Sequence, residues 1–159
     1  MENITIIKAD ASHLVPCAEI LADSDIGRVY FGTVQDIEET LRVGLESEEI
    51  YVAISGGCCL GFFWFVYLGA FHSYPYLHMI AVDEASRGRG VGTKLLDCYE
   101  KLVLSEHSKT FLLVADFNPR AKKLYESREW MQVGAIPGLY KPGVTEHLMV
   151  KFRLEPGQA

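Results

Sequence analysis

Two rhythms run along the chain, one of period two and one of period 3.6, and they divide it into strands and helices. Residues 4–9 (ITIIKA) read as a first strand. Ser12 is placed to cap a helix that runs to about residue 24, with Pro16 tolerated in its first turn. Residues 23–32 (DSDIGRVYFG) read as a loop that ends in aromatics. Thr33 caps a second helix, with Asp36 where a capping box wants an acid, and that helix runs through Glu46. Residues 51–55 alternate as a strand, Gly56-Gly57 is a hairpin turn, and residues 60–68 (LGFFWFVYL) form a long aromatic strand.

The pattern continues with a strand at 76–82 (YLHMIAV) and a loop at 83–92 rich in glycine and arginine. Leu95, Leu96, Tyr99, Leu102 and Val103 then share one helical face, which predicts a helix over 91–107. A buried strand at 111–115 and a short helix at 119–128 follow. The last two strands, at 130–135 and 146–154, are joined by a loop containing PGLYKPG. The order is β-α-α-β-β-β-α-β-α-β-β. Three consecutive strands imply an antiparallel meander, and the later β-α-β implies a parallel pair. The fold class is therefore α/β, with a mixed, mostly antiparallel central sheet. It is not a doubly wound Rossmann fold.

Composition narrows the picture. A chain of 159 residues, 49% hydrophobic and 23% charged, suits one soluble domain spanning 1–159. The longest apolar stretch, 58–70, is interrupted by two glycines and is too short for a membrane helix, so no membrane partner is expected. The first residues, MENITIIKAD, do not read as a secretory signal. A net charge of −6 argues against nucleic acid as a partner. Cys17, Cys58, Cys59 and Cys98 lack metal-type spacing and read as free, mostly buried thiols of a cytoplasmic protein. The five histidines are scattered, and no metal site is expected.

The sharpest chemical feature is the run from Val82 to Lys94, VDEASRGRGVGTK. A strand feeds the loop and the loop feeds a helix, whose first N–H groups and dipole face outward. Glycines let the backbone approach an anion, and Arg87 and Arg89 add positive charge. The pattern suits a pyrophosphate cradle. Gly92-Thr93-Lys94 has the wrong order for a Walker loop, and G-x-G-x-G has the wrong spacing for a dinucleotide fingerprint. A glycine-rich turn with solvated arginines is the plainer alternative.

Arg87-Gly-Arg-Gly-Val-Gly92 resembles the R/Q-x-x-G-x-G/A loop of the GCN5-related N-acetyltransferases (GNAT), preceded by the usual strand ending I-A-V. Asn118-Pro-Arg-Ala-Lys-Lys-Leu-Tyr125-Glu-Ser resembles the family's N-x-x-A-x-x-L/F-Y-E-x segment. The resemblance covers roughly 51–153, and the order of elements agrees. It implies an acyl-CoA N-acyltransferase fold, with acetyl-CoA as cosubstrate between two splayed parallel strands, here 76–82 and 111–115.

Carried over, the resemblance implies that main-chain amides of Gly88, Arg89, Gly90, Val91, Gly92 and Thr93 bind the pyrophosphate, with Arg87 nearby. Main-chain groups of Ile80 and Val82 would bond the pantetheine arm, and amides near Met79 and Ile80 would polarise the thioester carbonyl. Asn118 would touch the pantetheine region and also cap the helix that Pro119 opens. Tyr125 would protonate the departing thiolate, since a phenol keeps its proton below about pH 10. Many relatives carry a glutamate on a central strand as base, whereas FLLVA at 111–115 has none and Asp116 only follows it. His78 is the titratable side chain of the other strand, with a pKa suited to a base or simply a structural role.

For the acceptor, the resemblance implies a face bounded by the first helices and the loop before the last strand. Those segments supply Asp23, Asp25, Tyr30, Phe31, Trp64, Tyr67, Tyr74, Tyr76 and Tyr140. Rings and carboxylates suit the amine of a small molecule or peptide. Trp64 and Phe63 read as core, and the acidic run 46–49 as a solvated helix end. LYESREW resembles the L-Y-E-x-x-G-F stretch of ribosomal-protein N-terminal acetyltransferases, but Glu129-Trp130 replaces Gly-Phe, and apolar Leu113 stands where that group has a strand acid. The aromatic strand and the last strands offer faces for a homodimer. The missing strand acid leaves open a catalytically silent acyl-CoA-binding module.

Overall fold

The computed structural model describes residues 3–47 and 49–157. Strand β1 (Thr5–Lys8) leads through a short 3-10 turn (Ala11–His13) into helix α1 (Leu14–Ala22). Asp10, not Ser12, caps this start: its carboxylate accepts from the Ser12 N–H at 2.9 Å, while its own N–H donates to His13 Nδ1 at 3.1 Å. The segment expected as a loop contains helix α2 (Asp25–Tyr30), capped by Ser24, whose Oγ accepts from Gly27 N–H at 3.1 Å. Six residues give too little periodicity to reveal a helix, so the cap is its only sequence signal.

Helix α3 (Val34–Ser47) begins with the expected capping box: Asp36 N–H donates to Thr33 Oγ1 at 3.1 Å, and Thr33 N–H to Asp36 Oδ2 at 2.9 Å. The acidic run after it includes Glu48, which lies outside the described residues. Strands β2 (Glu49–Ser55) and β3 (Cys58–Ala70) form a hairpin whose Gly56 and Gly57 both have positive φ, 56° and 79°. That is the left-handed pair a tight two-residue turn requires. β4 (Tyr74–Val82) follows a second tight turn, where Phe71 and His72 take φ of 55° and 54° and Ser73 N–H bonds Ala70 O at 3.0 Å. Helix α4 (Val91–Leu104), β5 (Lys109–Ala115), α5 (Pro119–Ser127), β6 (Met131–Pro137) and β7 (Thr145–Phe152) complete the chain.

The strands lie in one hydrogen-bonded sheet in the order β1-β2-β3-β4-β5-β7-β6. The meander and the parallel β4–β5 pair are those the element order implied. The parallel register joins Tyr76 to Phe111 and Leu77 to Leu112. β4 runs on beyond it to Val82, and β5 runs on to Ala115 in antiparallel register with β7.

Two units of chain contacts divide the molecule: one runs through Val66 and takes in His78–Glu100, the other comprises Tyr67–Leu77 and the chain from Lys101 onward. In the first, Cys17, Leu21, Ile37 and Leu41 from α1 and α3 pack with Ile50, Val52, Phe62 and Trp64 from β2 and β3. Burying such side chains stabilises by roughly 1.5–3 kcal/mol each. The alternate residues of the same strands carry a second aromatic layer. Tyr51 stacks on Phe63 at 5.1 Å, and Tyr99 of α4 meets Phe63 and Phe65 edge-on at 5.7 and 5.3 Å. In the second unit Leu112, Met149, Val150 and Trp130 are buried. Of the four thiols only Cys17 is buried, Cys58 is exposed, and Cys59 and Cys98 are half-buried. The expectation of mostly buried thiols fails because Cys58 stands beside the hairpin turn and points outward.

Candidate active site

The glycine loop belongs to the first unit. It is anchored before it begins: Asp83 N–H donates to Leu60 O at 2.9 Å, and buried Ser86 donates through Oγ to Asp83 Oδ2 at 3.1 Å. Gly88 and Gly90 then take φ of 74° and 82°, and a β-carbon on either would meet no atom within 4 Å. The glycines are thus required by backbone conformation, and the space before them is open. At the start of α4, Lys94 N–H donates to Gly90 O at 3.0 Å. The amides of Val91, Gly92 and Thr93 therefore sit in the helix's first turn, where N–H groups lack intrahelical acceptors. Loop amides around left-handed glycines, followed by a helix N-terminus, are the kind of backbone that can receive an anion. Gly92 differs: its φ is not positive, and a β-carbon there would meet Val82 Cγ2 at an ordinary 3.5 Å.

The arginines are not equivalent. Arg87 Nε donates to Val82 O at 3.2 Å, and Nη2 makes a longer contact with Asp23 O at 3.5 Å. Arg89 is exposed at the loop's outer turn between the two left-handed glycines. Val82 O, at the end of β4, is thus engaged by the loop that follows it. Ile80 is half-buried in the part of β4 beyond the parallel register.

His78 packs edge-on against Trp64, ring centroids 4.6 Å apart and planes at 85°. Its ring is exposed by surface area yet crowded by protein atoms, and this partial desolvation holds its pKa below the usual 6.5. Trp64 is buried in the core as expected, and its Nε1 has no hydrogen-bond partner among the described residues. Tyr30 ends α2, and Phe31 caps it, with its N–H on Gly27 O at 3.1 Å and its ring packed on the core. Asp25 faces Arg28 at 3.3 Å on the same helix.

Asn118, Tyr125 and Tyr140 belong to the second unit. Asn118 caps α5 by accepting Ala121 N–H at 3.2 Å, with Pro119 in the first turn. Tyr125 is buried, with Trp130 at 5.9 Å, and burial pushes its phenol pKa well up. Tyr140 is exposed in the loop that turns at Gly138 and Gly143, both at positive φ. Asp116 is engaged structurally, accepting Thr145 N–H at 3.1 Å. Tyr74 and Phe71 both meet Phe111, at 5.8 and 5.3 Å, while Tyr67 meets His107 at 6.3 Å. Sequence reasoning passed over Glu146, which is buried in register with Ala115 at the end of β5. Its signal was the phase it shares with Leu148 and Val150, which sets an acid among inward-facing positions.

Among the described residues no group of three histidine, cysteine or acidic side chains is arranged to hold a metal ion, and no helix is long and apolar enough to cross a membrane. Comparison with curated proteins finds no match. Solved structures do match. The chain resembles Ard1 from Thermoplasma volcanium at 21% identity and TM-score 0.80, covering 96% of this chain and 99% of that one. It resembles the ribosomal-protein-S18-alanine N-acetyltransferase from Escherichia coli at 18% identity and TM-score 0.78, covering 98% and 97%. It also resembles an aminoglycoside 6'-N-acetyltransferase complexed with coenzyme A at 17% identity and TM-score 0.72, covering 95% and 98%. At such identities these likenesses establish the fold. The model of the acetyltransferase (GNAT) family matches residues 17–130, which take in the glycine loop, Asn118 and Tyr125, and the chain therefore belongs to that family.

Proposed function

We propose that the protein transfers an acetyl group from acetyl-CoA to an amine of a small molecule or peptide, by direct attack and without an acyl-enzyme. The observation that carries this reading is the anion seat of Gly88–Thr93, with two left-handed glycines, open space before them and a helix N-terminus behind. Those amides hold the pyrophosphate, and Arg89 adds charge. Main-chain groups of Ile80 and Val82 take the pantetheine arm. Acetyl-CoA supplies the thioester carbonyl that the amine attacks.

The chain's residues manage the protons. His78, neutral because its pKa is lowered, takes the proton from the incoming ammonium. Amides near Met79 and Ile80 polarise the carbonyl. Tyr125, still protonated because burial raises its pKa, gives its proton to the sulfur as the C–S bond breaks, and the second proton lost by the attacking nitrogen restores the phenol. The products are an N-acetylated amine and free CoA thiol. Asn118 sets the start of the helix that carries Tyr125 and touches the pantetheine. Tyr30, Phe31 and Tyr140 are the aromatic candidates for contact with the acceptor, their rings being suited to a cation.

Calorimetric titration with acetyl-CoA tests the reading, with Arg89→Glu and Gly90→Glu beside the parent. Saturable binding by the parent, lost in both variants, supports it. A folded parent that does not bind acetyl-CoA overturns it. A panel of amines with thiol detection follows. β5 carries no acid, and this favours a second reading as a catalytically silent acyl-CoA-binding module. Binding without thiol release above background across the panel selects that second reading.

A further inference from the structure

Arg87 stands in the loop's motif, and its guanidinium donates to two main-chain carbonyls. Nε reaches Val82 O, at the end of β4, at 3.2 Å. Nη2 reaches Asp23 O, 64 residues away at the C-cap of α1, at 3.5 Å. The last turn of α1 has no basic residue of its own, although the negative end of a helix dipole favours a cation there. Arg87 supplies that cation from the far side of the sequence. The corner it meets is stiff. Ser24 Oγ donates to Leu21 O at 2.6 Å and accepts from Gly27 N–H, and α2 follows directly, ending in Tyr30 and Phe31.

We propose that Arg87 is a positioning residue: it pins the α1–α2 corner to the mouth of the glycine loop and is not a phosphate ligand. A planar fork suits the task, since one guanidinium can donate to two carbonyls at once, which a lysine cannot do in a fixed geometry. The bound loop and the aromatic end of α2 are thereby held in one frame. The bearing of this frame on acetyl-CoA binding rests on the proposed function, whereas the brace itself rests on the two contacts.

Hydrogen exchange read by mass spectrometry, with and without acetyl-CoA, tests the proposal on the parent, Arg87→Met, Arg87→Lys and Arg89→Met. In the ligand-free protein, Arg87→Met is expected to speed exchange across residues 23–31 by about tenfold, with Arg87→Lys between it and the parent. Peptides of β5 and β7 keep the parent's rates. In calorimetry, Arg87→Met is expected to keep acetyl-CoA affinity within about threefold, while Arg89→Met loses about tenfold with unchanged exchange at 23–31. Three results overturn the brace: unchanged exchange at 23–31 in Arg87→Met, a rise that spreads equally to β5 and β7, or an affinity loss as large as that of Arg89→Met. If the parent itself fails to bind acetyl-CoA, the proposed function falls, and the ligand-free exchange still decides the brace.

Discussion

Gly27 lies so close to the end of α1 that a β-carbon on it would stand 1.9 Å from the Leu21 carbonyl oxygen. The next atoms, Leu21 C and Ala22 Cα at 2.7 and 3.0 Å, are also main chain, so no side chain can swing aside. Helix α2 therefore meets α1 backbone to backbone, and the absent side chain is what permits the corner. Gly27→Ala is expected to destabilise by about 1–3 kcal/mol or more, because the helix itself must shift. A urea titration measures this. A midpoint equal to the parent's would show that α2 does not sit in this contact.

The glycines of the loop separate by what each position demands. Gly90 holds φ of 82°, where an L side chain costs roughly 1–2 kcal/mol. Gly92 has no such demand and room for a methyl group beside Val82. Gly90→Ala is accordingly expected to weaken acetyl-CoA about tenfold, and Gly92→Ala no more than about threefold. The family pattern allows alanine at the second position only, in line with this geometry. Calorimetric dissociation constants check the ranking, and a reversed order would mean that the loop is held differently.

What could be read in advance follows from how local its cause is. The β2–β3 hairpin was legible because left-handed positions call for Gly56-Gly57, and the glycine loop for the same reason. The second hairpin was not: Phe71 and His72 adopt the same left-handed pair without any turn residue, and the ring of Phe71 packs on Phe111 at 5.3 Å. That contact joins residues 40 apart in the chain, so no local turn signal announces it. Ser12 and Asp10 both have capping side chains, and the 3-10 turn Ala11–His13, which contains Ser12, decides for Asp10. In the site, the anion seat and the Asn118 cap were visible as motifs. The Arg87–Asp23 contact and the burial of Glu146 depend on the folded sheet and helices, and local sequence rules do not encode them.

Tyr125 carries a prediction with two readouts. As the proposed acid, its loss in Tyr125→Phe is expected to lower kcat about a hundredfold while acetyl-CoA affinity changes little. The second readout is stability at high pH. Burial raises the folded phenol's pKa above the unfolded value of 10.0, so the stabilisation it reflects is complete below pH 10. Above that, the unfolded chain loses the proton while the folded one keeps it, and stability falls. Thermal unfolding between pH 9 and 11 is expected to show a shallower decline in Tyr125→Phe than in the parent. Equal declines would mean that the phenol is not shielded, and an unchanged kcat would remove it as the acid.

His78 has the opposite sign. Crowding against protein atoms, with Trp64 at 4.6 Å, lowers its pKa from 6.5, so the fold favours the neutral ring. The unfolded chain takes up a proton near pH 6.5 and the folded chain only at lower pH. Stability is therefore complete above 6.5 and declines as pH falls through the window below it. Comparing melting temperatures at pH 7.5 and 5.5 is expected to show a smaller drop in His78→Phe than in the parent. As the proposed base, the neutral ring also puts the acid limb of kcat/KM below pH 6.5, and His78→Gln removes that limb while lowering the rate about a hundredfold at neutral pH. An unchanged limb in the variant assigns proton removal to another group. An unchanged difference in melting temperature would instead show that His78 titrates as in water, and that its packing against Trp64 places no constraint on its charge.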